Sequence, residues 1–225
     1  MSLINHPAPT FIAPAVVEGQ IVQDFSLSSW IGKQPILLFF YPKDFTFVCP
    51  TELLALQKRL HLFQERGVAV IAISTDSVET HFAWLQTPVE EGGIQGVTYP
   101  LVADESKAIA ANYEALGGTW DYDEDGLMIF EGNPFAYRAS FLIDEEGIIR
   151  YASTHDLGLG RNIDELLRVV DMWRKTKQDG TVCPAGWQAG EATIEPTPLG
   201  IKRYIQENPD SPTNCQGACK GKTTK

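Results

Sequence analysis

Long apolar runs are missing from this 225-residue chain; the longest, Pro35 to Tyr41, is far too short to cross a bilayer. Basic side chains are scarce, 18 against 29 acidic ones, which leaves a net charge of −11. So acidic a chain is repelled by phosphate backbones and anionic lipid, so nucleic acid and membrane surfaces are poor partners for it. The first residues, MSLINHPAPTF, have neither the basic nor the apolar region of a secretory signal, and a cytoplasmic location is expected. HExxH, GxSxG and Gly-rich phosphate loops do not occur, and His6, His61, His81 and His155 show no ligand spacing. Neither a metal nor an organic cofactor is expected. The acidic run Asp121–Asp125 lacks a complete calcium-loop pattern and reads as solvated surface. Cysteine is limited to Cys49, Cys183, Cys215 and Cys219. A chain long enough to bury its own core does not need these as disulfide staples. They read instead as reactive, metal-bound or buried thiols.

What is present is an alternation of strand-like and helix-like patterns. Pro35–Tyr41 is a continuous apolar run of strand length, as in a strand buried on both faces. After a polar loop, Leu53, Leu56, Leu60 and Phe63 recur at helical spacing, between Pro50 at the start and Gly67 at the stop. Val68–Ser74 is a second buried strand, which completes a βαβ unit. A helix is expected over Val78–Gln86, a loop over Thr87–Tyr99, a short strand over Pro100–Asp104 and a helix over Glu105–Glu114. Gly117–Asn133 reads as a long acidic surface insertion. Tyr137–Ile143 and Ile148–Ser153 form a predicted hairpin across Asp144–Gly147. Ile163–Lys175 is amphipathic. Five of the 14 prolines then crowd the last segment, which reads as an extended arm lying over another surface, such as a second subunit.

The informative stretch is Phe40–Glu52, FYPKDFTFVCPTE, where a buried strand gives way to a helix. Active sites gather at such ends of open α/β sheets. A lone cysteine is commonly a buried structural residue. Cys49, however, precedes the first helical turn, where unpaired N–H groups and the positive end of the helix dipole favour thiolate over thiol. Thr46 can set a hydroxyl beside that sulfur, and Pro42 can shield one side of the pocket.

Pro42-x-x-x-Thr46-x-x-Cys49, followed by Pro50-Thr51-Glu52, resembles the active-site signature of the peroxiredoxins. Val182-Cys183-Pro184-Ala185-Gly186-Trp187 resembles the resolving-cysteine motif of the typical two-cysteine members, the alkyl hydroperoxide reductase C and thioredoxin peroxidase group. Tyr137-Arg138 through Asp144 is similar to the strand that carries the family's active-site arginine. The likeness runs from about Pro9 to about Ile194. It implies a thioredoxin-like α/β fold with a mixed central sheet flanked by helices, residues 1–176, and an extended C-terminal arm, residues 177–225. It also implies a thiol-dependent peroxidase for hydrogen peroxide and organic hydroperoxides. In that scheme Cys49 is the peroxidatic nucleophile, Thr46 and Arg138 hold and polarise the peroxide, and Pro42 keeps water out. Glu52 and Arg150 match the supporting ion pair, and Cys183 resolves the sulfenic acid in an intersubunit disulfide. The implied assembly is a homodimer, in a ring of dimers (decamer), regenerated by thioredoxin or a flavoprotein disulfide reductase.

Two features depart from the family pattern. Peroxide-sensitive relatives carry a GGLG loop and a C-terminal Tyr-Phe pair; here the loop reads Gly92-Gly93-Ile94-Gln95 and the pair reads Tyr204-Ile205. Faster resolution and resistance to over-oxidation are therefore expected, and rapid sulfinic-acid build-up on Cys49 during turnover would contradict this. Cys215-Gln-Gly-Ala-Cys219 is an added pair, read as an auxiliary redox relay, a partial metal site or a plain tail. His81 and Trp84 share a helix face and read as packing or interface residues. A disulfide oxidoreductase is disfavoured because Cys49 has no CxxC neighbour, and a holdase ring would be indifferent to Cys49→Ser.

Overall fold

Continuous burial sets the centre of the sheet. Every residue of β3 (Ile36–Phe40), β4 (Ala69–Ser74) and β8 (Arg138–Ile143) is buried, as expected of strands covered on both faces. The structure, a computed structural model, describes residues 2–208. Cys215 and Cys219 lie outside the described residues. The chain divides into two compact units, Met1–Ile163 and Asp164–Lys225. The division places most of the last long helix with the arm.

In the first unit, β1 (Ile12–Val17), β2 (Gln20–Ser26), β5 (Leu101–Ala103) and β9 (Ile149–His155) complete a seven-stranded sheet of order β2-β1-β5-β4-β3-β8-β9. β3, β4 and β5 run parallel, while β1 and β8 pair antiparallel to their neighbours, so the sheet is mixed. Helix α1 (Cys49–Glu65) buries Leu53, Leu56, Leu60 and Phe63, the face that its spacing predicts. It stops just before Gly67, whose φ of 70° is the left-handed conformation that suits a helix end. Helix α2 (Val78–Gln86) starts where expected, with the Ser77 hydroxyl accepting the Thr80 N–H. Helix α3 (Ala108–Asn112) is shorter than expected because Asp104 holds the preceding turn, accepting the N–H groups of Ile109 and Ala110. Phe40 and Tyr113 both pack edge-on against Phe141 within one core cluster.

Two segments differ from the sequence reading. β1 and β2 carry little strand signal, because Pro14 interrupts the first and most of the second is exposed. The acidic insertion is on the surface but is not a loop. It forms a separate two-stranded ribbon, β6 (Leu116–Tyr122) and β7 (Met128–Ala136), in which Trp120 packs edge-on against Phe130. Gly118 permits that close pairing, since a Cβ there would collide with the Glu131 carbonyl and the Phe130 ring.

In the second unit, helix α4 (Ile163–Asp179) carries Asp164 and Glu165 in its first turn and Lys177 in its last, which complements the helix dipole. The arm is less extended than its prolines suggest. Val182 and Ile194 close it through paired backbone hydrogen bonds of 2.8 Å. Pro198 opens helix α5 (Pro198–Glu207), which Thr197 caps. At that position proline's missing N–H costs nothing.

Candidate active site

At the end of β3 the chain leaves the sheet through a tight loop into α1. Phe45 adopts φ of +50°, a conformation that costs a non-glycine residue about 1–3 kcal/mol and persists only where neighbours enforce it. Cys49 is the first helical residue, one position further into the helix than the sequence suggests. No side chain caps this end, although Pro50 has no N–H to offer and the Glu52 N–H is taken by the Val48 carbonyl, so the positive end of the helix dipole faces the sulfur. Cys49 is a free thiol, fully buried. Pro42, seven positions earlier in the loop, is buried, and the Thr46 hydroxyl donates to the Lys43 carbonyl at 3.0 Å, leaving its lone pairs available.

Arg138, at the start of β8, is 3% exposed. Its Nη1 donates to Cys49 Sγ at 3.4 Å and to Glu52 Oε2 at 2.8 Å, and its Nε to the Leu157 carbonyl at 2.8 Å. Glu52 lies one turn along α1 from Cys49 and is equally buried. It also receives Arg161, whose backbone N–H and Nε reach Oε1 at 2.7 and 2.9 Å and whose Nη2 reaches Oε2 at 3.0 Å. Arg161 Nη1 donates to the Ala139 carbonyl and the Ser140 hydroxyl, and its guanidinium lies 3.3 Å from the centroid of the Phe39 ring. Burial pushes the Glu52 carboxyl up. The hydrogen bonds and charge of Arg161, with the charge of Arg138, outweigh it and hold the group below the ordinary carboxylate value. One carboxylate thus anchors two guanidiniums, one of which faces the sulfur.

The partner of Glu52 is Arg161, not Arg150. Arg150 Nε instead binds Asp144 Oδ2 at 2.6 Å, and its Nη1 binds Asn5. Arg138 opens β8 and Asp144, the partner of Arg150, follows its far end, about 20 Å along at strand rise, so Arg150 is anchored at the opposite end of that strand. Nothing local marks Arg161, which reaches Glu52 across 109 positions. A buried trio of Tyr41, Asp44 and His81 flanks the loop and is also missing from the sequence reading.

Cys183 belongs to the second unit, where it is a half-buried free thiol with Sγ 3.9 Å from the Met172 carbonyl. Burial pushes its thiol up, against the opposing charges of Lys175 and Arg168. Among the described residues no group of three His, Cys, Asp or Glu could hold a metal ion, and no helix is long and apolar enough to cross a membrane.

A family model described as the AhpC/TSA family matches residues 4–152, and one for the C-terminal domain of 1-Cys peroxiredoxin matches residues 172–207. Alkyl hydroperoxide reductase C of Helicobacter pylori (strain ATCC 700392 / 26695) is 46% identical over 207 residues, covering 92% of this chain and 98% of that protein. Peroxiredoxin-2 of Rattus norvegicus is 40% identical over 205 residues, 91% of this chain and 96% of that protein. The crystal structure of reduced Plasmodium vivax 2-Cys peroxiredoxin superposes with a TM-score of 0.81 at 37% identity, covering 92% of this chain and 100% of that one.

Proposed function

The chain belongs to the AhpC/TSA family and is a peroxiredoxin with that family's thioredoxin-like fold; from that premise we propose how its own residues reduce a hydroperoxide. Cys49 is the attacking thiolate. Its sulfur attacks the terminal oxygen of ROOH, the O–O bond breaks, and RO⁻ leaves as ROH after taking a proton, so sulfur is oxidised to sulfenic acid as the peroxide is reduced. The observation that carries this reading is the 3.4 Å contact between Cys49 Sγ and the buried Arg138 guanidinium at the head of α1. A fixed, permanently charged donor at that point can stabilise both the thiolate and the oxygen that departs. The Thr46 lone pairs accept the peroxide O–H, which holds the O–O bond in line, and Pro42 limits water. Glu52 positions the arginines, with Arg161 in the part that the sequence suggested for Arg150.

Cys183 resolves the intermediate. Its thiol, held up by burial, attacks the sulfenic sulfur and its proton leaves with the displaced hydroxyl as water, which forms a disulfide. A dithiol protein such as thioredoxin, or a flavoprotein disulfide reductase, returns the pair to thiols. The disulfide joins two subunits of a head-to-tail dimer, assembled into a ring of dimers.

Non-reducing electrophoresis after one equivalent of hydrogen peroxide tests the scheme. A covalent dimer is expected for the natural chain and for neither Cys49→Ser nor Cys183→Ser. A band that stays monomeric in the natural chain rules out the intersubunit disulfide.

A further inference from the structure

Cys183 is seated against a helix that resists its ionisation. Its S–H donates to the Met172 carbonyl of α4, with Sγ 3.9 Å from the oxygen. That bond favours the neutral thiol, and burial works in the same direction. Resolution needs the opposite, because the thiolate is the nucleophile that attacks a sulfenic sulfur. Two cations oppose the seat, Lys175 first and Arg168 second. They stand three residues after Met172 and four before it, the spacings that bring side chains together on one helix face.

The two cations are held differently. Arg168 is fully engaged: Nε and Nη2 grip the Glu165 carboxylate at 2.6 and 2.7 Å, while Nη1 reaches the Trp187 carbonyl at 3.0 Å and Met172 Sδ at 3.1 Å. It ties the arm to the helix. Lys175 is held by Asp179, whose Oδ2 lies 2.7 Å from Nζ one turn further along α4. These two side chains are 38% and 30% exposed, and an ion pair in that setting is weak enough to exchange partners. A cavity of about 260 Å³ beside Lys175, also lined by Asp171, Arg174 and Trp187, gives the ammonium room to turn. The remaining charges near the seat are otherwise occupied. Lys177 lies over the Trp173 ring at 5.3 Å, Glu191 of the arm accepts the Gln188 N–H at 2.8 Å, and Glu195 meets Arg203 of α5 at 3.7 Å.

We propose that Lys175 is a positioning residue for the resolving step: its ammonium leaves Asp179 and turns to the Cys183 sulfur as the thiol releases its proton, so that Cys183 attacks as a thiolate. This rests on the role given above to Cys183. Asp179 competes for the same ammonium and so slows the step. The balance of the reaction is unchanged. The S–S bond forms as the S–OH bond breaks, Cys183 is oxidised as the Cys49 sulfur is reduced, and the displaced hydroxide takes up one proton for the one that the thiol released.

The test uses the full, reduced chain with Lys175→Met, Lys175→Arg and Asp179→Asn. Each receives one equivalent of hydrogen peroxide, and the Cys49–Cys183 disulfide is followed by rapid quenching and mass spectrometry across the range in which a thiol titrates. At neutral pH Lys175→Met is expected to form the disulfide about 3- to 10-fold more slowly and Asp179→Asn about 2-fold faster, the scale of gaining or losing one nearby charge. Lys175→Arg keeps the charge and should stay within about 2-fold of the natural chain. The rates should converge at high pH, where the thiol ionises unaided, and oxidation of Cys49 itself should not change. Equal rates for Lys175→Met and the natural chain overturn the proposal. So does a deficit that persists at high pH, or one as large in Lys175→Arg. Alkylation of Cys183 by iodoacetamide in a Cys49→Ser chain separates the lysine's action from the resolving role. Its pH midpoint is expected to rise when Lys175→Met is added, and an unmoved midpoint overturns the action on the sulfur. A natural chain in which Cys49 and Cys183 do not join overturns the resolving role instead.

Discussion

Replacing Glu52 by glutamine is expected to destabilise the protein by about 3–5 kcal/mol, the usual cost of removing one partner from a buried ion pair. Glutamine keeps the shape and several hydrogen bonds, so the loss isolates the charge. Arg138 and Arg161 are 3% and 8% exposed, and without the carboxylate the remaining bonds of Arg161 go to the neutral Ala139 carbonyl and Ser140 hydroxyl. The pH dependence has a definite sign. Glu52 is held below its ordinary value of 4.5 in the fold. Its contribution is therefore fully present above that value and is lost as pH falls through the lower, folded value. The gap between the natural chain and Glu52→Gln should be widest near neutrality and should narrow in acid. Denaturant unfolding at fixed protein concentration, followed by circular dichroism across that range, measures it. A neutral-pH difference below about 1 kcal/mol, an ordinary surface effect, would remove Glu52 from the role of anchor.

Arg138→Met should do the reverse, leaving the fold largely intact and lowering the rate of Cys49 oxidation by about 10²–10³-fold, the scale for losing one fixed donor to a developing anion. The fold survives because Glu52 keeps three hydrogen bonds from Arg161. The rate falls because Nη1 of Arg138 touches the sulfur at 3.4 Å while Nε is tied to Leu157. Arg138→Lys tests geometry against charge. It keeps the charge but not the planar fork that serves Cys49, Glu52 and Leu157 together, so a deficit of about 10-fold or more should persist. Stopped-flow oxidation by hydrogen peroxide reads both. A methionine variant as fast as the natural chain would mean that the sulfur relies on the helix end alone.

The parts of the fold that were legible in the sequence have a burial pattern that dictates one answer. The apolar runs Ile36–Phe40 and Ala69–Ser74 could only be covered strands, and the 3-4 spacing from Leu53 to Phe63 could only be a helix face. The β1–β2 hairpin was not legible, because an exposed edge strand carries no alternation for the solvent to enforce. The β6–β7 ribbon was hidden for a related reason, its glycines and acids reading as loop when Gly118 in fact permits close strand pairing. Within the site, the loop residues Pro42, Thr46 and Cys49 are near neighbours in sequence and form a recognisable string. Arg161 and His81 have no such string, and their function depends on what they meet.

By itself the sequence determined the strand-to-helix junction, the cysteine at its head and the family to which the pattern belongs, because each is carried by short strings of residues that are neighbours in the chain. Only the tertiary structure decided which arginine answers Glu52 and that Asp44 closes on His81. The energy of a buried charge is set by the counter-charge across the space next to it, and that distance is a property of the folded chain, not of the order of its residues.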